Sequence, residues 1–409
     1  KPEMRKIHGI ELPDSVRQGQ RLTTMTSGQS AFTCVAPMFN FKRVGERGTW
    51  VNPEVLPHTA KIVDDIAIIR SMHTEAINHD PAITYINTGR QQPGRPSFGS
   101  WISYGLGSEN ENLPGYVLLN NDWIPNGGFE NFASAFLPAN HGAMMVRAKG
   151  KPVDNIVPQE KLAIQRRKLD LLQLQDKSFA TEVANASAIE AAIVNHEKAF
   201  LMQSSIPGIA DVSDETEETR KLYGLDSKNE YKKHYSLQCL RARRLVERGV
   251  RFIEITCPLT HSNNSPWDQH GNIVKYHNEN AMITDQGVTA LILDLKQRGL
   301  LDETIVVWAG EMGRTPHTPK ISSTAGRDHH VNGYSIFLAG GGFRGGMTYG
   351  ETDEFGNAAV ENQLMIQDVH ATILHQLGLD HEQLTFRFGG RDVSLTDVHG
   401  HVVRPLLVS

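Results

Sequence analysis

SLQCLRARRLVERG at 236–249, followed directly by VRFIEITC at 250–257, is the stretch that decides the fold. The first segment reads as an amphipathic helix stopped by Gly249, because glycine takes the left-handed conformation that ends helices at low steric cost. The second, rich in β-branched and aromatic residues, reads as a strand. The order then repeats, with a helix in DQGVTALILDLKQRG (285–299), a strand in ETIVVWAG (303–310) and a later strand in YSIFLAG (334–340). Largely apolar strands alternating with helices predict an α/β fold whose sheet is largely parallel and covered on both faces.

Upstream, VLPHTAKIVDD (55–65) carries Leu56, Ile62 and Val63 on helical spacing, and IAIIR (66–70) and YVLLN (116–120) read as buried strands. The Asn/Gly/Pro-rich stretch 120–142 is a long loop, and the first 50 residues are polar and irregular. Residues 158 to about 205 meet no glycine or proline between Pro158 and Pro207, so they predict one or two long helices laid over the core. A structural insertion at about 158–230 within a single domain spanning 1–409 accounts for them.

Lys plus Arg number 41 against 46 Asp plus Glu, a formal charge of -5, and no basic block stands out, which argues against nucleic acid as a partner. No run approaches the roughly 18 apolar residues that a membrane-crossing helix needs. Cys34, Cys239 and Cys257 are too few and too scattered for a disulfide framework or a thiolate zinc site. The 18 histidines are many for this length, and several lie beside acids, as in His79-Asp80, Asp268-Gln269-His270 and Asp328-His329-His330. Any single pair of this kind is ordinarily just solvated. Several together suggest mixed nitrogen and oxygen metal ligation.

Ligands of open α/β sheets bind beyond the carboxyl ends of the strands. The loops after 66–70, 250–257 and 304–309 each deliver a histidine or an acid there, namely His79, Asp268 with His270, and Glu311. Asp80 is predicted as a helix N-cap with Pro81 in the first turn, which aims free backbone amides and the helix dipole at an oxyanion. Arg314 would help hold that anion. His329, or His330 in its place, can point back to the same edge. Such a donor set suits Zn²⁺, Mn²⁺ or Fe better than Ca²⁺ or Mg²⁺, which favour all-oxygen shells. No GxSxG elbow, phosphate loop or HExxH motif is present, and the glycines of GGGFRGG at 340–346 lead towards a turn-rich stretch and not a helix, so they make no dinucleotide turn, leaving a metal-assisted or histidine-assisted hydrolase as the sharpest enzyme class.

RSMHTEAINHDPAITYINTGR (70–90), CLRARRLVERGVRFIEI (239–255), WDQHGN (267–272), GEMGRTP (310–316), GRDHHVNGYSIFLAGGGFRGG (326–346) and QDVHATILHQLGLDHEQLTFRFGGRD (367–392) together resemble the domain of unknown function 1501 family. The likeness runs from roughly residue 10 to the C-terminus. That family is abundant in planctomycetes, is usually exported, and is placed in the alkaline phosphatase and sulfatase superfamily. The resemblance therefore implies a three-layer α/β/α sandwich of alkaline phosphatase type in an exported bacterial protein. PAITYINTGR (81–90) is similar to the end of the sulfatase nucleophile loop, in a register that puts His79 where the nucleophile stands. ETIVVWAGE resembles the strand that ends in a metal-binding acid, with Glu311 in the acid's place. Full-length relatives also carry, just before the Lys-Pro that opens this chain, a strand and a Gly-Gly-Pro-Ser-x-x-Asp-like loop expected to supply a central strand and a metal carboxylate.

The resulting expectation is hydrolysis of a phosphate or sulfate ester, on a small molecule or polysaccharide, at one or two divalent ions. His79 and Arg314 would be catalytic, with His79 as nucleophile, proton carrier or ligand. Asp268, His270, Glu311 and His329 would ligate, with His330 as the alternate. Asp80 and Thr315 would line the anion. The competing expectation is a non-catalytic exported binding or scaffold protein that keeps the fold.

Overall fold

The computed structural model describes residues 2–408 other than 18, 20, 21, 24, 184, 185 and 261–265. In chain order, the elements that frame the site region are β1 (Ile66–Met72), α1 (His79–Thr88), β2 (Tyr116–Asn120), β3 (Met144–Arg147), α2 (Leu162–Ala180), α3 (Ala186–Ser205), α4 (Glu230–Val246), β4 (Phe252–Ile255), α5 (Ile273–Gln297), β5 (Val306–Trp308), β6 (Tyr334–Ala339), β7 (Met347–Tyr349) and α6 (Ile366–Gln376). Four strands form one sheet in the order β7-β1-β6-β5, and three form another in the order β3-β2-β4.

The three-stranded sheet is parallel as expected, although β3 has no counterpart in the sequence reading and only 3-10 turns, no α-helix, connect β2 to it. The four-stranded sheet corrects the expectation of largely parallel pairing: only β7 and β1 run parallel, while β6 runs antiparallel to both β1 and β5. Burial patterns carry no information about strand direction, so the reversal of β6 is invisible in its sequence. Its consequence is local. Tyr334 at the start of β6 lies opposite Met72 at the end of β1, so residues preceding β6 arrive at the same sheet edge as residues following β1.

Side chains alternate across the strands with period two and sort into two cores. Ile66, Phe337 and Ala339 pack with Leu240 and Leu245 of α4 and Ile283, Ile292 and Leu295 of α5. Ile69, Met72, Ile336 and Leu338 pack on the other face with Tyr85 of α1 and Ile366, Val369 and Ile373 of α6. Each fully buried Ile or Leu contributes roughly 1.5–3 kcal/mol. These contacts hold α1, and with it His79, at a fixed height above the sheet.

The helix expected over 55–65 is a single 3-10 turn, Thr59–Lys61. Pro57 lacks an N–H, and the next two amides turn to a tertiary acceptor instead of a helical one. His58 N and Thr59 N donate to the Asp285 carboxylate of α5 at 2.7 and 2.9 Å. In the stretch read as an insertion, α2 buries none of its residues and α3 buries Ala191 and Met202. An Arg166–Glu197 ion pair at 2.7 Å joins the two helices.

Glu254 on β4 accepts a hydrogen bond from the Tyr116 hydroxyl at 2.7 Å, and burial pushes its carboxyl up to about 7. A carboxyl whose folded value lies above its unfolded one binds the extra proton in the folded state, so stability falls as pH rises through the interval between the two. Between pH 5 and pH 8 the protein should lose up to about 3 kcal/mol from this group. Glu254→Gln should remove that loss and melt higher than the native protein at pH 8. Superimposable melting-temperature profiles for the two proteins would contradict this.

Candidate metal centre

β1 ends at Met72, and the chain crosses the sheet edge before α1 begins at His79. The N-cap is Asn78, in extended conformation with φ -137° and ψ 163°, and not Asp80 as the sequence suggested. Ala82 N donates to Asn78 O at 3.0 Å, so helical geometry starts two residues early. Asp80 is thereby moved into the first turn, exposed, where its charge still favours the positive end of the helix dipole. The shift buries His79, which is only 9% exposed.

Asp268 is the hub of the cluster. Its Oδ2 lies 3.2 Å from His79 Nε2. Its Oδ1 lies 2.9 Å from His270 Nε2, 3.4 Å from His329 Nε2 and 2.5 Å from Arg314 Nη1. Each of the three imidazoles is anchored from behind. His79 Nδ1 meets Glu311 Oε1 at 2.6 Å, His270 Nδ1 meets Asp328 Oδ1 at 2.7 Å, and His329 Nδ1 meets the Ile77 carbonyl at 3.2 Å. All three anchors are acceptors, so the proton of each neutral ring resides on Nδ1 and the lone pair of Nε2 turns toward Asp268.

Lone pairs facing a carboxylate repel unless a cation or additional protons lie between them. Burial alone would lower the His79 pKa, but its contacts with Asp268 and Glu311 lift it to about 9. Contacts with Asp268 and Asp328 likewise lift His270 to about 9. Burial would raise the Asp268 carboxyl, yet His270, His329, His79 and Arg314 hold it far below the usual carboxylate range. Glu311 is also lowered, the His79 ring outweighing burial. His79 Nε2 and His329 Nε2 are buried without a hydrogen bond, and with an Asp268 oxygen they lie within 4.8 Å of one another. Two convergent imidazole nitrogens and a carboxylate oxygen are a donor set for a divalent ion.

The other expected residues divide. Glu311 stands behind His79 and not among the convergent atoms. Arg314 is engaged with Asp268. Thr315 is buried, its hydroxyl donating to His317 O at 2.9 Å and accepting from Asp328 N at 3.1 Å, so it shapes the loop and does not line the cluster. His330 faces away: adjacent strand residues point to opposite sides, and its Nε2 donates to the Asn357 carbonyl. The loop segment 261–265, with His261, lies outside the described residues.

Two partners escaped the sequence reading. Asp328 orients His270 and is held in turn by Gln29 Nε2 at 2.5 Å. The triplet Asp328-His329-His330 was visible as a cluster, but nothing local tells which member ligates and which supports. Gln29, 299 positions away in sequence, carried no signal. A short antiparallel bridge, His329 opposite Arg314 and His330 opposite Gly313, brings the two loops together. Glycine is required where they touch: a Cβ on Gly326 would sit 2.1 Å from the His270 carbonyl carbon, and one on Gly313 2.1 Å from the Gly333 oxygen.

Among solved structures, the phosphonate monoester hydrolase SpPMH from Silicibacter pomeroyi is similar at 12% identity and a TM-score of 0.40, over 86% of this chain and 71% of that one. Ps i-CgsB, solved in complex with k-i-k-neocarrahexaose, is similar at 12% identity and a TM-score of 0.36, over 80% of this chain and 67% of that one. No curated protein matches the chain. The motifs that build the cluster, from HDP at 79–81 to DHH at 328–330, all fall within residues 1–407, which match the family described as "Protein of unknown function (DUF1501)", and the chain belongs to that family.

Proposed function

We propose that this protein is a metal-dependent hydrolase of phosphate or sulfate esters. One observation carries the reading: three imidazoles, each tied at Nδ1 by an acceptor, turn Nε2 to a single Asp268 carboxylate beside the N-terminus of α1. His79, Asp268 and His329 would hold the ion, and Zn²⁺, Mn²⁺ or Fe suit two nitrogen donors and one oxygen better than Ca²⁺ or Mg²⁺. When bound, such an ion would supply Lewis-acid stabilisation of charge on an ester oxygen.

The chain's own groups do the rest. Glu311 and the Ile77 carbonyl fix the tautomer and aim of His79 and His329, and Asp328 does the same for His270. The first-turn amides of α1 and the helix dipole favour an anion at this edge. The Arg314 guanidinium offsets the Asp268 charge that would otherwise repel an anionic ester. His270, at 28% the most exposed of the three rings, would exchange a proton with a leaving group. The alkaline phosphatase-like α/β/α layering and export from the cell belong to the same reading, through the sequence resemblance.

The test measures metal content of the purified protein beside hydrolysis of 4-nitrophenyl phosphate and 4-nitrophenyl sulfate. The expected result is turnover of at least one ester, lost on chelation and restored by Zn²⁺, Mn²⁺ or Fe²⁺. A well-folded protein that binds none of these ions and hydrolyses neither ester would point to the non-catalytic binding or scaffold role.

A further inference from the structure

A second polar site lies at the other end of α1. The helix spans His79–Thr88, so its two ends are separated by roughly 15 Å at 1.5 Å per residue. Gly89 closes it with φ 70°, and a side chain there would press on the Leu395 carbonyl at 2.5 Å. The chain then turns sharply into Arg90. Beyond it, Arg90, Gln92, Pro93 and Arg95 wall a cavity of about 340 Å³.

The charge around this cavity does not balance. Arg90 and Arg391 share one carboxylate, Asp397: Arg90 pairs with its Oδ2, and Arg391 Nη1 lies 3.6 Å from its Oδ1. Arg95 has no carboxylate partner among the described residues and instead lies over the Phe136 ring, 6.0 Å from its centroid. Its pKa is lowered, by burial first and then by the like charges of Arg391 and Arg90. Three guanidinium groups thus lie near one another, two of them sharing one carboxylate and the third over an aromatic ring. Beside it, Phe136 stacks on Phe388 at 4.4 Å, and Phe388 remains 51% exposed.

We propose that this cavity is an oxyanion-binding site, separate from the histidine cluster, that takes a sulfate or phosphate group. A planar guanidinium donates two parallel N–H bonds to such a group, and like-charged arginines without an acid partner are stabilised by one. The proposal stands without the hydrolase reading, because its residues lie beyond the C-terminal end of α1 and His79 stands at the N-terminal end. Two sources offer the same chemistry. A free inorganic ion would use the arginines alone. A sulfated or phosphorylated sugar would also set an apolar ring face against Phe388.

The test is calorimetric titration of the full chain with inorganic phosphate, inorganic sulfate, glucose 6-sulfate and unsubstituted glucose, repeated on Arg95→Ala, Arg95→Lys, Phe388→Ala and Asp268→Ala. Binding of at least one anionic probe is expected, weakened about tenfold or more in Arg95→Ala, partly recovered in Arg95→Lys and weakening with added salt. Asp268→Ala should leave it unchanged. If the sugar is the source, glucose 6-sulfate binds more tightly than sulfate and only that difference is lost in Phe388→Ala; equal affinities assign the site to the free ion. Thermal melts of each variant separate loss of binding from loss of folding. No binding of any anionic probe, equal affinity in the native protein and Arg95→Ala, or loss of binding in Asp268→Ala would each overturn the proposal.

Discussion

Asp268→Ala should abolish metal binding and ester hydrolysis together, with kcat/KM falling by at least about 10³-fold. All three imidazoles and Arg314 contact Asp268, at 2.5 to 3.4 Å. Its removal takes away the anionic donor and leaves the Arg314 charge without its counter-ion. Both members of the pair are half-buried, and deleting the acid strands the guanidinium, so the Ala variant should also melt at lower temperature. Asp268→Asn separates the two effects. It keeps the volume and one oxygen, should fold, and should still lose most of its metal because a neutral amide is a poor ligand for Zn²⁺ or Mn²⁺. Metal stoichiometry after dialysis and ester turnover are the readouts. An Asn variant with full metal and native turnover would remove Asp268 from the centre.

The second large effect distinguishes two assignments of role. The sequence left His79 as nucleophile, proton carrier or ligand and made Glu311 a metal ligand. The proposed centre takes His79 as the ligand and Glu311 as its support: His79 Nε2 is buried among the convergent donors, and Glu311 sits 2.6 Å behind at Nδ1. His79→Ala should therefore lose the ion and with it all ester hydrolysis. Glu311→Gln should retain the ion with affinity reduced about 10- to 100-fold, the usual cost of removing a carboxylate that orients a ligating histidine. Competition with a coloured chelator measures both. Full metal in His79→Ala together with complete loss in Glu311→Gln would return the roles to those of the sequence register.

Much of this arrangement was legible in the sequence because it rests on local rules. The strands at 66–72, 116–120, 252–255, 306–308 and 334–339 stand where apolar β-branched runs predict them, and helical periodicity finds the C-terminal parts of α4 and α5, which begin at Glu230 and Ile273, ahead of the 236 and 285 that it predicts. His79, Asp268, His270 and Glu311 are legible because they follow the carboxyl ends of strands, where open α/β sheets bind ligands, and His329 because it precedes a strand and can point back to the same edge. The structure brings these five into one cluster. His330 was not separable from His329 by sequence, since either member of a pair can face the cluster until the strand's orientation is known. Asp before Pro is a strong N-terminal signal and marks Asp80 as the cap, but Asn78, two residues earlier, takes the position.

By itself, then, the sequence determined the element types, the chemistry available at each strand end and the glycines, such as Gly89 and Gly326, that permit close approach. Only the tertiary structure decided how those pieces combine. The antiparallel entry of β6 places His329 beside His79, which lies 250 residues earlier, because an antiparallel neighbour begins where β1 ends. Asp285 claims the amides of His58 and Thr59 and so cancels a helix that periodicity favoured. Which nitrogen of each imidazole turns inward follows from acceptors that are distant in sequence: Glu311 for His79, Asp328 for His270 and the Ile77 carbonyl for His329. Side-chain periodicity and capping act over a few residues, whereas strand direction and tautomer are set by long-range partners, and no local pattern encodes them.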